Sequence, residues 1–200
     1  MNCRSRFALC AVVVAGFVIP LQASAHLASS GMGPVYDGLL HFLLSPEDIV
    51  AVIALGLLAG LLGPDFGRRV LLALPLSWFL GCLIGTWTLP ALAWPVAAIS
   101  FMVLGGLVAL DAKLSLRLTT TLAVALGLAH GALNGGGMRW SASVLAAYAG
   151  LAATVAVVVA LVSAFVVRLE RQWARIVVRV AGSWIAASGL LLLGWALRRG

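Results

Sequence analysis

The sequence predicts an all-α polytopic membrane protein, a helix bundle of about six transmembrane helices behind a cleaved signal peptide. Three observations carry this. Of the 200 residues, 63% are hydrophobic and 10% charged, with a mean hydropathy of +1.13, more apolar surface than a water-soluble fold hides. The apolar residues gather into runs near the roughly 20 residues that a helix needs to cross the hydrocarbon core. The basic residues sit in short clusters between those runs, as orientation signals do, and not along one face as a nucleic-acid binder would have them.

Taken in chain order, Arg4 and Arg6 precede an apolar core from Phe7 to Leu21. Ala23 and Ala25 then stand at cleavage positions before His26, the layout of a Sec-type signal peptide. Residues 1–25 are thus the expected signal and 26–200 a single transmembrane domain. Cleaved or kept as an anchor, the segment puts residue 26 outside the cytoplasm. Gly33–Leu44 is too short to span and is expected to lie at the outer surface or dip into it. Six spans follow at about 46–62, 70–88, 95–110, 118–133, 141–167 and 176–197. Ser45 and Pro46 open the first, and Pro75, Pro90 and Pro95 punctuate the second and third. Glycines at four-residue steps, Gly56 and Gly60, Gly81 and Gly85, and Gly127, Gly131 and Gly135, predict close helix approach.

The connections alternate in charge. Arg68 and Arg69, then Lys113 and Arg117, then Arg168, Arg171, Arg175 and Arg179 occupy the first, third and fifth, whereas the second has no basic residue and the fourth only Arg139. The odd connections are therefore expected inside, with the mature N-terminus periplasmic and the protein in a bacterial inner membrane. Arg198 and Arg199 run against this pattern. Cys3 and Cys10 leave with the signal, and Cys82 alone builds neither a disulfide nor a thiolate metal site.

Two polar clusters interrupt the apolar background. Asp37 and His41, four residues apart, share one face of a helical turn, and lead into Ser45-Pro46-Glu47-Asp48. That tetrapeptide reads as a helix start, with Ser45 as N-cap and Asp48 completing a capping box. The other reading is that Glu47 and Asp48 sit beside His41 to attract a cation. His130 and Asn134, also four apart, lie in an apolar span beside the glycine stripe, where an imidazole and an amide are costly unless used. An interhelical hydrogen bond is the alternative there.

The first span begins outside and the fourth ends outside, so His41, Asp48 and His130 are expected at one depth, sharing one polar cavity lined by Asp48 and Asn134. Imidazole, carboxylate and amide oxygen form a ligand set for a divalent first-row ion such as nickel or cobalt, held loosely enough for release. The ion is cargo; no permanently bound cofactor is expected. Glu47, Asp37 and His26 are further candidate ligands. A free α-amine on His26 after cleavage would chelate together with its imidazole, and Tyr36 and Asp37 are expected at the mouth.

The order of signal peptide, terminal His26, His41 followed by an acidic pair, and Gly127-Leu128-Ala129-His130-Gly131 in a later span resembles the HupE/UreJ family. Its members are small bacterial membrane proteins associated with hydrogenase and urease gene sets and regarded as nickel or cobalt permeases. The resemblance implies a permease with a metalloenzyme-maturation or energising partner. Where the commoner family pattern has Asp-His after the first histidine, this chain has Glu47-Asp48, so Glu47 matches the family acid and Asp48 replaces a histidine. The later His-Gly motif, often followed by a glutamate, is followed here by Asn134. Exchanging imidazole for carboxylate favours harder ions.

Other classes remain open on these residues. His41 and His130 at matched depth suit axial ligation of a haem in an electron-transfer subunit. Metal-activated water with Asp48 or Glu47 as base would make a membrane hydrolase. A structural or assembly protein would use every polar group as cap or glue.

Overall fold

The computed structural model describes residues 31–87, 93–136 and 141–198. The expected signal peptide and His26 lie outside the described residues. Among the described residues every regular element is helical: α1 (Pro34–Leu43), α2 (Pro46–Leu62), α3 (Pro64–Gly85), α4 (Ala93–Ala109), α5 (Leu116–Gly135), α6 (Ala142–Val167) and α7 (Gln172–Leu197).

Proline at the first helical turn starts α1, α2 and α3, where its missing N–H is no loss. Ser115 and Ser141 cap α5 and α6 by accepting from the backbone N–H of Leu118 and Val144. Gly63, at φ 123°, turns α2 into α3, a backbone conformation that L side chains rarely adopt. Pro75 inside α3 forfeits one backbone hydrogen bond, and the nearby Ser77 hydroxyl donates to the Ala73 carbonyl at 2.7 Å.

α3, α5, α6 and α7 are long and apolar enough to cross a membrane. α2 and α4 have 17 residues each, which is roughly 26 Å of helix, a little under a hydrocarbon core of about 30 Å. α1 and α2 together are long enough, but they meet at 77°, so the count of six straight spans is not established. α3 and α7 begin a full turn or more before the spans expected from the sequence. α3 takes in Arg68 and Arg69, and α7 takes in Arg175, because arginines are good helix formers and can extend a span beyond the apolar core.

α2 sits centrally between α3, α4 and α6; α3 pairs with α5, α4 with α7, and α1 lies on α6. The glycine steps explain the pairings. A Cβ on Gly85 would meet the Ala132 carbonyl, one on Gly131 the Trp78 carbonyl, and one on Gly60 the Val166 side chain and the Ser163 carbonyl, so α3 meets α5 backbone to backbone and α2 packs closely on α6. Trp78, Tyr148, Phe42, Leu55 and Leu58 fill the interior, while Leu72, Leu76, Leu80 and Ile84 form an exposed stripe on α3. A four-residue stripe of large apolar side chains facing outward is a lipid-facing surface.

Arg175 donates to the Leu61 carbonyl and Arg179 to the Ala109 carbonyl, which places the start of α7 beside the ends of α2 and α4. At the opposite end Thr86, just past α3, pairs with Tyr148 in the second turn of α6. Successive helices from α2 onward therefore run up and down, and Arg68, Arg69, Lys113, Arg117, Arg168, Arg171, Arg175 and Arg179 belong to the same end of the bundle.

Candidate functional site

The first turn of α2, the last turns of α5, the end of α1 and the first half of α4 converge on one hydrogen-bonded chain, buried at Asp48 and His130 and half-buried at its ends. His41 Nε2 lies 2.6 Å from Asn134 Oδ1, Asn134 Nδ2 donates to Asp48 Oδ2 at 2.9 Å, and Asp48 Oδ1 lies 2.8 Å from His130 Nδ1. His130 Nε2 ends the chain 3.0 Å from Ser100 Oγ. His130 is 1% exposed and Asp48 4%. A carboxylate so placed is stable only because donors surround it.

The partners dictate the protons. Asn134 Nδ2 faces two groups that only accept, the Asp48 carboxylate and the His130 carbonyl, so its amide orientation is determined and Oδ1 is left to accept. His41 therefore donates from Nε2–H, and its coordinating lone pair is on Nδ1. Asp48, when ionised, takes Nδ1–H from His130. The lone pair of a neutral His130 is then on Nε2, where the Ser100 hydroxyl donates to it. A carboxylate that fixes the proton on one imidazole nitrogen, and so leaves the lone pair on the other, is the arrangement that orients metal-binding histidines; here that lone pair accepts from Ser100.

The structure thus brings together His41, Asp48, His130 and Asn134, which sequence separates by up to 93 positions. It does not bring in Glu47, which is exposed on the first turn of α2. Asp37 is half-buried one turn before His41 on α1, and Tyr36 is exposed. The capping-box expectation is corrected. Ser45 makes no side-chain cap; its hydroxyl donates to the His41 carbonyl at 2.8 Å, while both Asp48 oxygens serve His130 and Asn134. A buried imidazole and amide compete for that carboxylate more strongly than a backbone N–H already near solvent.

Among the described residues, no three histidine, cysteine, aspartate or glutamate side chains are grouped to hold an ion by themselves. Asn134 stands between His41 and Asp48, so the amide is an integral part of the cluster. A model of the HupE / UreJ protein family matches residues 12–192. The chain belongs to the HupE/UreJ family. No curated protein and no solved structure matches it. Against the HupE/UreJ pattern described above, the position that matches the family acid, Glu47, faces outward, and the position of the replaced histidine, Asp48, is the buried one.

Two parts of this HupE/UreJ site escape the sequence argument. Ser100 is a lone hydroxyl in the apolar run of α4, and the logic applied to His130, a polar group in an apolar span, is the signal that would have found it. Trp78 packs its ring against His130 with centroids 5.4 Å apart, and Phe42 meets Trp78 edge-on at 6.0 Å. No spacing rule joins those two aromatics to the histidine, since they come from different helices.

Proposed function

We propose that this HupE/UreJ protein is an inner-membrane permease for a divalent transition-metal ion, nickel or cobalt before manganese, with His41 and His130 as the principal ligands. The observation that carries the reading is the His130–Asp48 pair: a buried carboxylate holds one imidazole nitrogen so that the other keeps its lone pair for an ion. Asp48 and Asn134 orient the imidazoles and supply oxygen, and few ligands on a loosely closed shell suit release over storage. The family's association with nickel and cobalt transport supports the same reading. In this proposal the signal peptide is cleaved, the mature N-terminus is periplasmic, and His26 and Glu47 draw cations toward the entrance. An energising or metalloenzyme-maturation partner would complete the pathway.

A haem ligated by both histidines suits the site less well. His130 is packed between Trp78, Asp48 and Ser100, and a porphyrin reaching Nε2 would have to displace Ser100 and the packing around the ring.

The deciding measurement is accumulation of nickel, cobalt, manganese and zinc, run in parallel in cells making the protein. Nickel or cobalt uptake is expected, abolished by His130→Ala and reduced mainly in apparent affinity by Glu47→Gln. Because His130→Ala leaves Asp48 buried with a donor missing, a cost of about 3 kcal/mol, membrane levels must be matched. Undiminished accumulation in that variant would return His130 to the role of a packed hydrogen-bond partner.

A further inference from the structure

At the end of the bundle away from the histidines, the N-terminal parts of α3 and α5 flank an open cleft of about 430 Å³ lined by Arg69, Leu116, Arg117, Thr120, Thr121 and Val124. We infer that this cleft binds the headgroup of an anionic glycerophospholipid.

Charge complementarity is the first argument. The cleft carries two arginines and no acid. Among the described residues the neighbouring cations are matched, Arg68 by Asp65 at 2.9 Å and Lys113 by Asp111 at 3.0 Å, whereas Arg69 and Arg117 have no ion pair. Guanidinium is the side chain best suited to a phosphate, because its forked donors match two oxygens at once. The Thr120 and Thr121 hydroxyls donate to the Leu116 and Arg117 carbonyls. With their protons so used, these hydroxyls, on residues that line the cleft, keep lone pairs that can accept from headgroup hydroxyls such as those of phosphatidylglycerol.

The second argument is the gradient of polarity along the groove. From Arg69, α3 continues through the exposed Leu72 and Leu76, and from Arg117, α5 continues to the exposed Val124. Cationic at the bundle end and apolar toward the middle, this is the profile of a phospholipid, head outward and chains inward. A free anion would use only the head of such a groove, and a soluble acidic partner could not follow it into the lipid-facing surface. Basic pockets between membrane helices recognise anionic headgroups on this basis.

The test is native mass spectrometry of the full chain in a neutral detergent, titrated in turn with phosphatidylglycerol, phosphatidylcholine and inorganic phosphate. One phosphatidylglycerol should be retained in preference to phosphatidylcholine. Arg69→Gln and Arg117→Gln should each weaken it about fivefold, with the loss shrinking as salt is raised. Arg68→Gln, one residue away and outside the cleft, should leave the affinity unchanged. Both lining arginines are exposed, so these variants retain the fold, and an unchanged thermal transition verifies it. Equal weakening by Arg68→Gln would mean diffuse charge attraction and overturn the site. Equal retention of phosphatidylcholine, or displacement of the lipid by equimolar inorganic phosphate, would overturn the lipid assignment.

Discussion

Ser100 gives the site its sharpest residue-level consequence. Its hydroxyl occupies the lone pair of His130 that an ion would need, so under the proposed function ion binding would require Ser100 to let go. Ser100→Ala leaves Nε2 bare and buried, which should destabilise the protein by about 1 kcal/mol and raise nickel affinity about fivefold. Calorimetric titration alongside thermal unfolding reads both quantities. A fall in affinity would instead make Ser100 Oγ a ligand. Acid acts on the same lone pairs. Protonated imidazole does not coordinate, so uptake should weaken as the external pH falls, and a proton-insensitive uptake curve would remove the histidines from the coordination shell. His130 and Asn134 were legible as residues because polar groups in an apolar span stand out. The pairing of His130 with Asp48 was not, since it joins helices 82 positions apart.

Among the elements, the α3–α5 pair depends most on small residues. Gly131→Leu drives a side chain into the Trp78 carbonyl and should destabilise the protein by about 3 kcal/mol. Gly106 on α4 has open space where its Cβ would be, so Gly106→Ala should be neutral or stabilise by up to about 1 kcal/mol through helix propensity. Thermal unfolding in detergent compares the two, and equal effects would mean that the α3–α5 contact is not what the glycines serve. The glycine stripes were readable in advance because a four-residue repeat puts them on one face. The 77° break between α1 and α2 was not. Ser45 and Pro46 announced a helix start, but the direction in which α1 leaves depends on Gly38 seating against Ala147 of α6.

Across the whole molecule, the up-and-down order of α2 to α7 collects the basic residues of the odd connections at one end and the His41–His130 network toward the other. If the basic end is cytoplasmic, as the charge bias directs, a reporter fused after Arg171 reads as inside and one fused at Arg139 as outside. The opposite result would put the network at the inner face and reverse the route assigned to the ion. Arg175 and Arg179 add a structural role to their orienting one, because they donate to the last carbonyls of α2 and α4, the groups that a helix end leaves unsatisfied.

Composition and periodicity alone determined that this chain is helical and membrane-embedded, that its helices alternate in direction, and that His41, Asp48, His130 and Asn134 are the polar groups to watch. Those properties are local: they follow from how many apolar residues adjoin and how far apart small and charged ones fall. Only the tertiary structure decided what each polar group does. Of the two readings left open for Asp48, helix cap or polar lining beside the histidines, packing chose the second and made it the partner of His130; Glu47 was left outside, and Ser100 was brought in from α4. The physical reason is that a buried donor takes whichever acceptor packing presents, and packing is set by contacts between helices remote in sequence.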